Sequence, residues 1–126
     1  MSIKVIEIGG TEFTMRASAL IPRIYRFKFG RDIVSDLRQL QKKWKKIIDE
    51  KLSDEEKEDA QFSALDLTIF ENVAWVMAKQ GDPNIPDDPG EWLDSIDGIF
   101  SIYEVLPKIL ELWHLSQHTT SVPKKA

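Results

Sequence analysis

A chain of 126 residues with 42% hydrophobic and 30% charged residues has the balance of one soluble globular domain, and its four Trp, six Phe and two Tyr can fill a core without a disulfide scaffold. The lack of cysteine excludes thiol catalysis, disulfides and thiolate zinc sites, and the formal net charge of −4 argues against a nucleic-acid partner, because counterion release rewards basic surfaces. MSIKVIEIGG at the N-terminus lacks the apolar core of a secretion signal, and no run approaches the ~18 apolar residues of a membrane span, so the sequence reads as cytosolic, with no membrane partner.

Residues 3–15, IKVIEIGGTEFTM, place β-branched and aromatic residues on both sides of Gly9-Gly10, a pair that accommodates the positive φ angles of a tight turn. This predicts a short β-hairpin, which must lie on helices or join a partner's sheet because an isolated hairpin is marginal in water. In SALIPRIYRFKFGRD, Ser18 is expected to cap a helix that has Pro22 in its first turn. Ile21, Ile24 and Tyr25 then face inward, while Arg23, Arg26, Lys28 and Arg31 rim the surface. The plain alternative is a helix whose basic residues are merely solvated.

From Arg31 onward Ile33, Leu37, Leu40, Trp44 and Ile47 recur at spacings of four and three, one apolar stripe on a helix of about five turns. Ser53 with Glu56 forms a capping-box pattern, so a new helix is expected to start there. Its later part, LDLTIFENVAWVMA, is apolar almost all round, with Leu65, Ile69, Val73 and Val76 on one side and Phe70, Ala74 and Met77 on the next. That marks the most buried helix, ended by Gly81-Asp82-Pro83. The loop GDPNIPDDPG leads to Asp88 as N-cap, Pro89 at the first helical position and a short helix bearing Trp92, Leu93 and Ile96, which Gly98 is expected to stop. Ser101 with Glu104 repeats the capping box before a last stripe of Ile102, Val105, Leu106, Ile109, Leu110 and Trp113, in which Pro107 should bend or restart the helix. The predicted fold is therefore mainly α (α+β): a single helical domain over 1–115, of four to five helices with an N-terminal hairpin, and a disordered tail over 116–126.

Chemistry is harder to find. His114 and His118 share a helical face but have no evident third ligand, so two exposed histidines are the better reading than a metal site. Asp82, Asp87, Asp88, Asp94 and Asp97 lack the alternating spacing of a calcium loop and read as caps and a solvated rim. Lys42-Lys43-Trp44-Lys45-Lys46 is the best nucleic-acid candidate, yet Trp44 lies on the apolar stripe and the acidic run DEKLSDEEKED follows closely. With no phosphate-binding glycine loop and no recognisable nucleophile context, the sequence points to no enzyme and no cofactor. A protein-interaction module is what remains.

ALIPRIYRFKFGRD, FENVAWVMAK, EWLDSIDGIFSIYEVLPKILELW and the Lys-Lys tail, in this order and over essentially the whole chain, resemble the tail assembly chaperones of long-tailed bacteriophages of Gram-positive hosts and of their prophages. The resemblance implies a mainly helical protein that acts in the host cytoplasm, binds the tape measure protein, keeps it soluble and helps recruit major tail tube subunits. It further implies many weakly associating copies, displacement as the tube grows, and absence from the finished virion. On this reading partner binding falls to Arg23, Arg26, Lys28, Phe29, Arg31 and Trp92. Lys124-Lys125 is a candidate for the slippery site of the programmed frameshift that such genes often carry, the alternative being a solubilising basic tail. The competing functional reading is a small phage or bacterial regulator that binds nucleic acid through its basic helix.

Overall fold

A computed structural model describes residues 2–49, 53, 55 and 61–121, with side chains up to His114. Its described elements run β1 (Ser2–Ile8), β2 (Thr11–Ala17), α1 (Ile21–Phe29), α2 (Ile33–Ile48), α3 (Ala64–Gly81), α4 (Pro89–Asp94) and α5 (Ile102–Ser121). This is the small, mainly helical α+β arrangement expected from the sequence, with a two-stranded antiparallel hairpin at its N-terminal end.

The hairpin turns where expected, on Gly9 and Gly10 at φ 60° and 85°, the left-handed conformations that a two-residue turn of this kind demands. Its strands are longer than the sequence suggested, pairing from Ile8↔Thr11 out to Ser2↔Ala17. The side-chain period of two divides the faces: Ile6, Ile8, Met15 and Ala17 are buried, while Ile3, Val5, Glu7, Glu12 and Thr14 are exposed. The inner face rests on α3, chiefly through β2, and on α5, chiefly through β1.

The core is one cluster of buried residues drawn from the hairpin and all five described helices. Ile33, Leu37 and Leu40 of the α2 stripe are buried, with Trp44 packed at its margin. α3 is buried from Ile69 to Ala78 apart from Glu71 and Asn72, but Leu65, assigned inward by its spacing, is 54% exposed, the first turn of α3 turning Asp66 inward instead.

Several boundaries differ from expectation. Ser18 does not cap α1: Leu20 holds the N-cap position without a side-chain bond, and the Ser18 hydroxyl is buried without a partner while its carbonyl accepts from the Ile21 amide at 3.2 Å. The capping box of α3 is Ser63 with Asp66, Asp66 N donating to Ser63 Oγ at 3.1 Å and Ser63 N donating to Asp66 Oδ2 at 2.8 Å. The box predicted at Ser53 and Glu56 lies outside the described residues at Glu56. α4 ends at Asp94, so Gly98 does not stop it. Gly98 instead lies against the hairpin turn, where an added Cβ would come within 2.3 Å of Gly9 Cα. Pro107 neither ends nor restarts α5, which is continuous through Ser121, so the tail expected from Ser116 is helical for its first six positions; residues 122–126 lie outside the described residues.

Candidate partner-binding surface

The surface anticipated on α1 is built by a short, tightly bounded helix. Gly30, at φ 67°, takes the left-handed position after the last turn and donates its N–H to Arg26 O at 2.8 Å. Two residues later Asp32 caps α2, its carboxylate accepting from Val34 N and Ser35 Oγ at 3.1 Å each. The chain therefore reverses sharply, and α1 is anchored by Ile21 and Tyr25 on its inner side.

A buried polar clamp secures that anchor. Tyr25 donates its hydroxyl to Asp36 Oδ2 at 2.7 Å, and Arg31 donates from Nε to the same oxygen and from Nη2 to Oδ1, both at 2.9 Å. A planar guanidinium gripping both carboxylate oxygens fixes direction as well as distance. Burial pushes the Tyr25 phenol far above its ordinary range, and the hydrogen bond to Asp36 adds to the shift. The guanidinium's own hydrogen bonds to Asp36 raise Arg31 in turn.

Arg31, predicted on the gripping rim, is therefore engaged within the fold although its side chain is 41% exposed. Phe29 is half-buried, its ring 5.0 Å from that of Tyr25 and 5.9 Å from that of Trp75. Trp92, expected among the partner-binding residues, is fully buried between Phe13 and Phe100, with ring centroids 5.4 and 5.8 Å away. Of the six predicted contact residues, Arg23, Arg26 and Lys28 are left exposed and outside that clamp, Lys28 Nζ lying 5.1 Å above the Trp75 ring.

What the sequence reading missed is Phe27. It is 74% exposed, with the Arg23 guanidinium 4.9 Å from its ring centre. Leu20, 50% exposed, lies seven residues earlier on the same face, with Arg23 and Ile24 between them at helical spacing. The result is a narrow apolar ridge, Leu20 to Phe27, edged by the cations of Arg23, Arg26 and Lys28.

The other candidates are tied into the structure differently. Lys43 bonds Asp66, which has no solvent exposure, and Gln39 Nε2 donates to the other carboxylate oxygen at 2.7 Å. Burial by itself would raise Asp66; the hydrogen bonds from Lys43, Ser63 and Gln39 outweigh it and hold the carboxyl below its ordinary value. Arg38, Lys42 and Lys45 are exposed and, with Gln41, line an open depression along α2 of about 230 Å³. Asp88 caps α4 through Glu91 N at 3.1 Å, Asp82 accepts from Asn84 N at 3.0 Å, and Asp87 pairs with Lys79 at 2.8 Å. Among the described residues no three His, Asp or Glu side chains converge as metal ligands, and no helix is long and apolar enough to cross a membrane.

The fold and this surface define a small α+β domain with an exposed cationic and aromatic helix. Comparison of the chain with protein-family models, with curated proteins and with solved structures gives no match.

Proposed function

We propose that this chain is a non-enzymatic phage tail assembly chaperone that binds the tape measure protein, keeps it soluble and helps recruit tail tube subunits. The observation that supports the reading most directly is the ridge on α1: an aromatic ring left 74% exposed on a helix otherwise well anchored, with the Arg23 guanidinium 4.9 Å from its centre and Arg26 and Lys28 exposed on the same helix. Exposed large aromatics beside arginine are typical of contact surfaces, since the ring buries much area for little lost freedom and the guanidinium supplies directional hydrogen bonds. A tape measure protein carries long helices whose apolar stripes must stay masked until the tube encloses them. A narrow apolar ridge with a basic margin suits a helix whose own stripe is bordered by carboxylates, and many copies along one long partner make weak individual sites sufficient. The whole-chain resemblance to this chaperone family points the same way.

The test is co-expression with the long helical protein encoded downstream. The expected result is a co-purified complex and a gain in that protein's solubility. No complex and no change in solubility would overturn the proposal. Phe27→Ser and Arg26→Glu are expected to weaken the complex at least tenfold without changing the melting temperature by more than a degree or two, because surface changes usually fall within about ±0.5 kcal/mol.

The second reading, nucleic-acid binding, draws on the exposed Arg38, Lys42 and Lys45 of α2. It predicts an affinity that falls steeply with salt in a titration against single- or double-stranded DNA. The net charge of −4 opposes it.

A further inference from the structure

The hairpin has two edges, and among the described residues only the β2 edge is covered. In its register Ile8↔Thr11 flanks the two-residue turn as a hydrogen-bonded pair, so Glu7↔Glu12, Val5↔Thr14 and Ile3↔Arg16 are the non-bonded pairs, whose N–H and C=O groups point away from the hairpin. On β2 that outward edge is occupied: the end of α3 lies so close that a Cβ on Gly81 would stand 1.8 Å from the Thr14 carbonyl oxygen. On β1 the outward amides and carbonyls of Ile3, Val5 and Glu7 bond no other group among the described residues. Ile3 and Val5 are also 61% and 54% exposed on the solvent face. The strand is seven residues long, with no proline and no bulge to deter pairing.

We propose that β1 pairs edge to edge, antiparallel, with β1 of a second copy of this chain, making a four-stranded sheet with Val5 on the two-fold axis. The charges of the solvent face select this occupant and this register. One end of the face carries Glu7 directly opposite Glu12, a like-charge pair that is unfavourable in the single chain. The other end carries Arg16, whose Nε is buried without a hydrogen-bond partner. Two-fold pairing about Val5 sets Ile3 opposite Glu7 of the second copy, so that Glu7 and Arg16 flank Ile3 on one face of the sheet, two strands or about 9.6 Å apart. It is also the only two-fold register that bonds all three outward residues of both strands. Moving the axis to Lys4 would place two lysines face to face. The pairing gives the self-association implied for the chaperone a definite surface, but it does not use the α1 ridge, so each can fail alone.

Sedimentation equilibrium over a concentration series tests it. The full chain is expected to show a monomer–dimer equilibrium, and Val5→Lys to abolish the dimer while circular dichroism stays unchanged. Glu7→Arg and Arg16→Glu should each weaken the dimer, and the double reversal E7R/R16E should restore it. Because the chain has no cysteine, a Val5→Cys variant reports the register directly: it should form an intersubunit disulfide on oxidation, and an Ile3→Cys variant alone should not. A chain that is monomeric at every concentration, a dimer that survives Val5→Lys, or equal cross-linking at positions 3 and 5 would each overturn the proposal. So would a monomeric chain whose Ile3, Val5 and Glu7 amides gain exchange protection only when an extended peptide is added, since the edge would then serve a different strand. The chaperone reading is scored separately, by whether Val5→Lys still co-purifies with the tape measure protein.

Discussion

Trp92, expected among the partner contacts, belongs to the core, and Phe27, to which the sequence assigned no role, is the aromatic left at the surface. Trp92 is fully buried, in edge-to-face contact with Phe13 and Phe100, and its Nε1 has no hydrogen-bond partner. Trp92→Ala is therefore expected to cost about 3–5 kcal/mol, since it empties a packed site, and chemical denaturation should show the loss as a lower midpoint. Trp75→Ala should cost a similar amount, because Trp75 is 3% exposed and its Nε1 donates to Pro86 O at 2.8 Å. Phe27→Ser, on the exposed ridge, should leave that midpoint in place. The basic rim of α1 was only partly legible in the sequence: Arg23 and Arg26 lie off the Ile21 and Tyr25 side of a short helix, whereas Lys28, seven residues after Ile21, shares that side and reaches over Trp75. The choice between Phe27 and Phe29 was not legible. They lie two residues apart and must point to different sides, and what draws Phe29 inward is the tertiary neighbour Trp75, some 46 positions away in the chain and 5.9 Å away in space.

At the scale of elements, periodicity and turn chemistry carried most of the fold. The α2 stripe, the Gly9-Gly10 turn and the Asp88-Pro89 start of α4 fall where residue types and spacing put them. The start of α3 was less legible because its capping box uses Asp66 where the usual pattern has Glu or Gln. Asp66 does more than cap, binding Lys43 and Gln39 of α2 as well, and no local pattern encodes that. Gly81 is another case in which the long-range neighbour decides. By helix propensity, Gly81→Ala in the last turn of α3 would gain up to about 1 kcal/mol. The added methyl would meet the Thr14 carbonyl at 1.8 Å, and neither strand backbone nor helix end can yield cheaply. Overpacking of this kind costs about 1–3 kcal/mol, so a net loss is expected, with the hairpin amides exchanging faster than those of α2. A Gly81→Ala protein more stable than the parent would show that α3 does not pack against β2 as described.

The whole molecule joins its parts through two buried acidic hubs, and these set how stability should vary with pH. Asp66 ties α2 to α3 and is held below its ordinary value of 3.8 by hydrogen bonds that overcome its burial. A carboxyl lowered in the fold adds stability that is fully present above its unfolded value and is lost as pH falls through the lower, folded one. Tyr25 ties α1 to Asp36 at the start of α2, and burial raises its phenol above the ordinary 10.0. A phenol raised in the fold has the opposite sign: its contribution is complete below 10.0 and disappears as pH rises through the higher, folded value. Thermal melting across pH should thus show a plateau that falls below 3.8 on the Asp66 side and above 10.0 on the Tyr25 side. Asp66→Asn should lower the plateau by about 1–3 kcal/mol, because it removes the charged acceptor of Lys43 and Gln39 while the part-exposed Lys43 can rehydrate, and should flatten the acid limb. Tyr25→Phe should lower it by about 1–3 kcal/mol, the cost of leaving one lone pair of a buried carboxylate unmet, and should flatten only the alkaline limb. If Asp66→Asn leaves the acid limb as steep as in the parent, the carboxyl does not carry the acid sensitivity. If both variants flatten the same limb, the assignment of Tyr25 as a buried neutral phenol fails.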